Sequence, residues 1–269
     1  DSHGHHKHVR TSGAGQKFGL RIAEVANAAK QAKEYGIVVV GLHSHVGSGV
    51  LKPTVWRETA ITLSNLLLDE KTNQRKVEFE NVEWLDLGGG LGVAGQNPDA
   101  LCGVNLGSVA DALNEISRKL KSLKPKPVHL HMEPGRYLVS EGGVLVTNVT
   151  QIRQKRNHRF VGVATGMNTL IRPALYNAWH DIVNITFAKK TEYNVIPADN
   201  YYEKDTELLT SHVVGPICET ADVLGHSRNL PTNTAVGDVI LIANAGAYGY
   251  VMGSNYNMRE PASEIVIEQ

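Results

Sequence analysis

The sequence predicts an α/β fold followed by an all-β fold, with a parallel β/α part over residues 1–143 and a mostly antiparallel β domain over residues 144–269. In the first part, short β-branched runs alternate with segments whose apolar residues recur at helical spacing. In the second part, short β-rich runs are separated by turn signals. The first part is therefore expected to be a barrel or a doubly wound sheet with helices outside.

The first helix and strand follow from local patterns. Apolar residues recur at helical spacing from Ile22 to Ala32, and Gly36 follows as a stop signal. The next run, Ile37–Leu42, is continuous and β-branched. Such a run is typical of a strand that is buried on both faces of a parallel sheet.

Further elements complete the first part. An apolar stripe from Val109 to Leu123 predicts a helix, and Ser108 with Asp111 resembles the capping box that begins one. Another helix is predicted at 56–67, and strands are predicted at 82–87 and 128–132.

In the second part, the β-rich runs lie at 144–149, 160–163, 213–214 and 239–242. The polar stretch Lys189–Thr210 predicts a surface excursion between two of these strands. Together, these runs and the turns between them favour antiparallel pairing.

Composition excludes several classes of protein. Lys+Arg and Asp+Glu both total 27, so net charge gives no reason to expect nucleic acid or an anionic membrane as a partner. No apolar run is long enough for a membrane span. Cys102 and Cys218 are the only cysteines, which favours a reducing, cytoplasmic setting, with an organelle such as a plastid as the open alternative. Four histidines in the first ten residues are interpreted as part of a polar loop, and no metal site is predicted. A purification tag and a divalent ion bound by His5 and His6 are the alternatives.

The first of four chemical motifs, His43–Gly49, directly follows the Ile37–Leu42 run. The ring of His45 can lie flat on an aromatic cofactor, and Ser48 with its glycine neighbours can donate hydrogen bonds to a phosphate. A strand-end turn with a buried histidine is the alternative.

The second motif contains three consecutive glycines, Gly88, Gly89 and Gly90, after a predicted strand. Backbone N–H groups in such a turn can converge on an anion. Because no Gly-Lys-Ser/Thr follows, the motif is not a P-loop, and the phosphate of a small cofactor fits better. A tight turn without a ligand is the alternative.

The third motif is Glu133-Pro134-Gly135-Arg136, at the end of another predicted strand. A carboxylate there can pair with a protonated ring nitrogen, and the arginine can bind a phosphate or a carboxylate. A solvent-exposed ion pair is the alternative.

The fourth motif, Gly215–Asp222, places Cys218 beside Glu219 after a Gly-Pro turn. The thiol is a candidate acid, and the carboxylate is a candidate ligand for an amine. Plain burial of the cysteine is the alternative, because free cysteine is among the most buried residue types.

In this order and spacing, the four motifs resemble the fold-type III pyridoxal-phosphate decarboxylases, relatives of ornithine decarboxylase and alanine racemase. Closer detail resembles the diaminopimelate decarboxylases within that group, from about residue 9 to residue 267. Ornithine-type enzymes usually have Asp where Glu219 stands, and the family often has Asp where Ala164 stands. The further runs that carry the resemblance are Lys17–Leu20, Met167-Asn168, Ile171–Tyr176 and Ala245–Gly249.

The resemblance implies the C-terminal half of a (β/α)8 barrel that binds pyridoxal 5'-phosphate, followed by the β domain. It implies decarboxylation of meso-2,6-diaminopimelate to L-lysine and CO2, the last step of lysine biosynthesis, by a homodimer with shared active sites.

The resemblance also assigns roles to individual residues. Glu133 faces the ring nitrogen, His45 stacks on the ring, and Cys218 protonates the α-carbon after CO2 leaves. The phosphate is held by Ser48, Gly88, Gly89, Gly90, Gly135, Arg136 and Tyr248. The substrate is bound by Arg136, Arg172, Tyr176, Glu219 and Tyr248.

One expected feature is missing from the sequence. The family's cofactor-attaching lysine lies on an early barrel strand in a Tyr-x-x-Lys-Ala-Asn-like context, which this sequence lacks, and only about four of eight β/α units are present. We therefore expect the C-terminal two-thirds of a longer enzyme, inactive by itself. The alternatives are pairing with a separate N-terminal piece, a non-catalytic homologue that binds or regulates a partner, and a decarboxylase for ornithine, arginine or carboxynorspermidine.

Overall fold

The computed structural model describes residues 3–4, 17–100, 102–188 and 201–268. The chain forms two compact units, Asp1–Gly92 with Gly103–Tyr137, and Val93–Cys102 with Leu138–Gln269. The short segment Val93–Cys102 therefore belongs with the second half of the chain, which its local sequence pattern did not indicate. The domain boundary at 143/144 stays a prediction. Within the described ranges, no helix has the length and apolarity that crossing a bilayer requires.

The first unit contains a parallel sheet with helices between its strands, as predicted. Three strands pair in the order β2-β4-β5, and β1 pairs in parallel with β3. The strands are β1 His3–Gly4, β2 Gly41–His43, β3 Gly47–Ser48, β4 Trp84–Asp86 and β5 His129–His131. The helices are α1 Ile22–Glu34, α2 Thr54–Leu67, α3 Leu106–Lys121 and α4 Gly135–Val139, with a 3₁₀ helix at Val77–Phe79.

Helical spacing correctly predicted α1, α2 and α3. Trp56, Leu67 and Leu120 from their apolar faces are fully buried in one core with the strand residue Leu85. Burial of side chains of this size contributes about 1.5–3 kcal/mol each, which is the main force holding the helices against the sheet.

The predicted strand Ile37–Leu42 is mostly wrong, because regular pairing begins only at Gly41. Gly36 adopts a left-handed backbone with φ of 73°, and the N–H of Ile37 returns to the carbonyl of Ala32 at 2.8 Å. The start of the β-branched run therefore closes the end of α1 instead of joining the sheet. The side chains of Ile37 and Val38 are both 60% exposed.

The predicted capping box of α3 is also wrong. The helix begins three residues earlier, and Asn105 is its N-cap, accepting a hydrogen bond from the backbone N–H of Ser108 at 2.8 Å. Ser108 thus lies inside the first turn, where its hydroxyl has no capping role.

The second unit is a six-stranded sheet in the order β10-β9-β7-β6-β11-β8, in which β7 and β9 pair in parallel and all other pairs are antiparallel. The mostly antiparallel prediction is confirmed. The strands are β6 Leu145–Lys155, β7 His158–Val163, β8 Ile182–Asn184, β9 Leu208–Val214, β10 Val223–Pro231 and β11 Val239–Ile242. The helices are α5 Arg172–Tyr176 and 3₁₀ helices at Tyr250–Met252 and Tyr256–Met258.

Two strands of this sheet were missed. β8 has only three residues, and β10 carries a polar stretch with a break in register between Gly225 and Arg228. Of the polar excursion predicted at Lys189–Thr210, residues 189–200 lie outside the described residues. Strand β9 begins at Leu208, within the last residues of that stretch.

The cap of α3 gives the first testable prediction. Asn105→Ala should lower the free energy of unfolding by about 1 kcal/mol, because it leaves a helix N–H without its acceptor. Ser108→Ala should change it by less than about 0.5 kcal/mol, since only its backbone N–H takes part in the cap. Urea unfolding measures both, with Asn114→Ala on the exposed face of α3 as the matched control. A larger loss in Ser108→Ala than in Asn105→Ala would contradict this assignment.

Candidate active site

Three strand-end loops of the first unit meet at the turn Gly88–Gly90. A Cβ on Gly89 would overlap the carbonyl oxygen of Glu133, and one on Gly90 would overlap the carbonyl oxygen of Gly47. A Cβ on Gly88 would lie 2.7 Å from the Cα of His45. The three glycines are thus required by close backbone approach, whether or not the turn binds an anion.

The ring of His45 is fixed by this turn. Its Nδ1 accepts the backbone N–H of Gly89 at 3.2 Å, so Nδ1 carries no proton and the ring is neutral with its proton on Nε2. Burial, and secondarily the neighbouring His43, lowers the pKa of His45. A half-buried, neutral and oriented imidazole suits flat stacking on an aromatic ring.

Glu133 lies at the end of β5 beside two residues that the sequence motifs did not single out. Its Oε2 is 3.3 Å from Nε2 of His43, and one ligand atom each from His43, Asp86 and Glu133 lie within 4.8 Å of one another. The Glu133 side chain is 56% exposed, so its carboxylate is accessible to a protonated ring nitrogen. Hydrogen bonding between the N–H of Glu133 and the carbonyl of Gly88, at 2.9 Å, fixes the backbone.

Ser48 and Arg136 come together although 88 residues separate them. Nη2 of Arg136 donates to Oγ of Ser48 at 2.8 Å, and the arginine is buried. A guanidinium beside a hydroxyl is a donor set that fits a phosphate or a carboxylate. Space is open around the α-carbon of the neighbouring Gly135, at the start of α4.

Two of the three backbone N–H groups of the glycine turn have acceptors within the protein. Gly88 donates to Oδ1 of Asp86 at 2.8 Å, and Gly89 donates to His45. The phosphate-binding role of Gly88, Gly89 and Gly90 therefore stays a prediction, and their observed role is to bring the loops together.

In the second unit, Cys218 and Glu219 lie on an exposed loop. The N–H of Cys218 donates to Oδ1 of Asn257, and the hydroxyl of Tyr256 donates to Oε2 of Glu219, both at 3.1 Å. The hydrogen bond to Glu219 and its negative charge raise the pKa of Tyr256. Both residues are exposed, so the alternative of plain burial for Cys218 does not hold.

The buried Asp222 holds this loop in place. Its Oδ2 accepts the N–H of Ile217 at 2.7 Å, and its Oδ1 accepts the N–H of Met167 at 2.6 Å. Gly166 and Gly215 make room, since a Cβ on either would press against the carboxylate. Burial raises the pKa of Asp222, and the two N–H donors oppose this by favouring the charged form.

Arg172 lies at the start of α5 and is only 5% exposed. Its Nη1 is 2.9 Å from Nε2 of the fully buried His180, whose Nδ1 is 2.7 Å from the carbonyl of Ala243. Because the carbonyl requires a proton on Nδ1, Nε2 accepts from the arginine and the ring is neutral. The neutral ring thus orients the arginine, while Tyr176 lies half-buried at the end of the same helix.

Tyr248 adopts a left-handed backbone with φ of 59°, which is rare for a bulky residue, and its side chain is 47% exposed. The glycines on either side are constrained too: a Cβ on Gly246 would overlap the carbonyl of Val139, and one on Gly249 would overlap the carbonyl of Ala245. An outlier of this kind favours a functional role for the phenol.

The structure thus brings His45, Ser48, Glu133 and Arg136 to the strand ends of the first unit, as the motifs predicted. The second unit presents Cys218, Glu219, Arg172, Tyr176 and Tyr248. Sequence reasoning missed the residues that orient them, namely His43, Asp86, His180, Asp222 and Tyr256. His43, Asp86 and Asp222 had a usable signal, since each lies in or next to one of the four motifs.

Comparison with known proteins identifies relatives along the whole chain. Residues 1–140 match the family model described as pyridoxal-dependent decarboxylase, pyridoxal binding domain, and residues 106–246 match its C-terminal sheet domain. Diaminopimelate decarboxylase of Neisseria meningitidis serogroup A is 35% identical over 268 residues, 98% of this chain and 57% of that protein. The Aquifex aeolicus enzyme of the same name is 32% identical over 98% of this chain and 56% of its own length.

A solved structure is similar as well. Diaminopimelate decarboxylase from Helicobacter pylori, complexed with L-lysine, matches with a TM-score of 0.71 and 29% identity, over 94% of this chain and 55% of that one. The expected fold, a β/α barrel part followed by a β domain, is confirmed. The chain spans little more than half the length of these relatives.

The glycine turn provides the second prediction. Gly89→Ala should lower the free energy of unfolding by about 1–3 kcal/mol, because its Cβ would overlap backbone that has no freedom to yield. Gly142→Ala, whose Cβ would meet only ordinary van der Waals contact, is the matched control and should stay within about 1 kcal/mol of the original protein. Urea unfolding decides, and equal stabilities of the two variants would show that the loops do not pack as described.

Proposed function

The chain belongs to the pyridoxal-dependent decarboxylase family, and we propose that the protein converts meso-2,6-diaminopimelate to L-lysine and CO2. The names of the most similar curated relatives support this substrate. The observation that carries the proposal is the accessible Glu219 carboxylate, held by Tyr256 directly after Cys218. We also propose a cytoplasmic setting, from the sparse cysteines.

The donor set of the first unit fits pyridoxal 5'-phosphate. Glu133 is accessible to hold a proton at the ring nitrogen, His45 is oriented for stacking, and Ser48 with Arg136 offers donors to the phosphate. We assign Tyr248, with the Gly88–Gly90 turn and Gly135, to the same phosphate. When bound, this cofactor withdraws electrons from the substrate's α-carbon, which permits loss of CO2.

The second unit supplies groups suited to the far end of the substrate. Diaminopimelate carries there an ammonium and a carboxylate. Glu219 would bind the ammonium, while Arg172 and Tyr176, together with Arg136 of the first unit, would bind the carboxylate, a pairing that suits a planar guanidinium. A substrate without that carboxylate would lack these charge-assisted hydrogen bonds, which is a strong basis for rejection.

Cys218 would supply the last proton. Its Sγ–H bond breaks and a C–H bond forms at the α-carbon with the electron pair that the departing CO2 leaves behind, giving a thiolate. The exposed position of the thiol gives it access to substrate. That the chain is inactive by itself, for lack of the cofactor-attaching lysine, stays a prediction.

A substrate panel tests the assignment. The test uses the longest natural polypeptide that carries this chain, supplied with pyridoxal 5'-phosphate. This protein should release CO2 from meso-diaminopimelate. It should release CO2 from ornithine, arginine and carboxynorspermidine at least about 100-fold more slowly. Tyr256→Phe should raise KM for diaminopimelate while leaving cofactor absorbance unchanged, because it removes only the hydroxyl that holds Glu219. Faster turnover of another amino acid would refute the substrate, and no CO2 from any would favour a non-catalytic homologue.

We further propose a homodimer in which Cys218 and Glu219 serve the site of the partner subunit. Cys218→Ala and His45→Ala should each lose most turnover as pure proteins. Mixed in equal amounts with subunit exchange, they should recover about a quarter of the original activity, since half of the dimers then have one intact site. Sedimentation shows whether dimers form, and dimers that regain no activity on mixing would show that each site uses one subunit only.

A further inference from the structure

Three histidines from neighbouring strands cluster on the second unit, outside the residues assigned to decarboxylation. His158 begins β7, His212 lies in β9 and His226 lies in β10, and these strands are adjacent in the sheet. Nδ1 of His158 is 3.2 Å from Nε2 of His212, and the ring centroids of His212 and His226 are 5.5 Å apart. We propose that His158, His212 and His226 form a binding site for a divalent transition-metal ion such as Zn²⁺.

The spacing of the first two nitrogens fits shared coordination. Two imidazole nitrogens bound at about 2.0–2.1 Å to one tetrahedral zinc ion lie about 3.3 Å apart, close to the observed separation. Imidazole is a preferred ligand of Zn²⁺, Ni²⁺ and Cu²⁺. Phe160, two residues after His158 on the same strand, packs its ring against His212 with the ring centroids 5.4 Å apart, which limits the freedom of that ring.

The third ligand is aimed by a bulge. β10 shifts register between Gly225, which pairs with Val213, and Arg228, which pairs with Ser211, so His226 and Ser227 together lie opposite His212. Ser227 has a left-handed backbone with φ of 54°. Bulges redirect side chains and are common beside functional sites. The ligand atoms of the three histidines do not all lie within 4.8 Å of one another in this structure, so coordination by His226 requires its exposed side chain to rotate.

The surroundings of the central histidine, His212, favour binding of a cation. Burial first, and then the neighbouring His226 and His158, lowers the pKa of His212. A neutral ring at pH 7 competes less with protons for the metal.

Zinc titration of the full chain, freed of metal by a chelator, tests the site. Calorimetry should show one ion bound through this cluster. Affinity should fall at least about 10-fold in each of His158→Gln, His212→Gln and His226→Gln, since even outer partners of a metal ligand contribute that much. In spectra of the imidazole nitrogens, Zn²⁺ should shift those of His158 and His212.

Two other imidazole sources need controls. His5→Gln/His6→Gln removes histidines near the chain start, and His43→Gln removes the group formed with Asp86 and Glu133; both should leave the affinity of the cluster unchanged. Circular dichroism confirms folding, and His226→Gln, at an exposed position, keeps the test valid if His212→Gln unfolds. Unchanged affinity in His226→Gln, or loss of all binding in either control, would overturn the proposal. Because activity is not the readout, failure here leaves the decarboxylase proposal intact.

Discussion

Close backbone contact at the Gly88–Gly90 turn, where no side chain fits, determines the geometry of the first unit. The turn lies against the loops that carry His45 and Glu133, and it touches the carbonyl of Gly47 just before Ser48. A cofactor site assembled from strand ends depends on how closely those ends approach. Here that distance is set by the absence of three Cβ atoms, and the orientation of His45 follows from it through a single hydrogen bond.

The second unit orients its polar side chains by a different means, through hydrogen bonds to uncharged partners. His180 accepts a hydrogen bond from Arg172 as a neutral ring, held in that tautomer by a backbone carbonyl. Glu219 likewise accepts a hydrogen bond from the phenol of Tyr256. Neutral partners of this kind fix direction without cancelling the charge that a zwitterionic substrate would require.

Much of this architecture is predictable from the sequence, because helical spacing and β-rich runs are local properties. The apolar stripe that ends at Leu123 and the strand at Val239–Ile242 are examples. The errors arise where a backbone group has a partner that spacing does not reveal, as with the N–H of Ile37, which caps a helix, and with Asn105. The motif residues His45, Ser48, Glu133 and Arg136 were predicted, but their contacts cross up to 88 residues of sequence and required the structure.

The carboxylate of Asp222 has a consequence for how the second unit moves. One side chain accepts hydrogen bonds from both the Met167 turn and the Ile217 loop, segments 50 residues apart. When either segment opens, the buried carboxylate loses one of its two hydrogen-bond donors. The other segment is then released more readily. The amide hydrogens of Met167 and Ile217 should therefore exchange with solvent in one cooperative opening. The Cys218–Glu219 loop is thus held in place through a turn that is distant from it in the sequence.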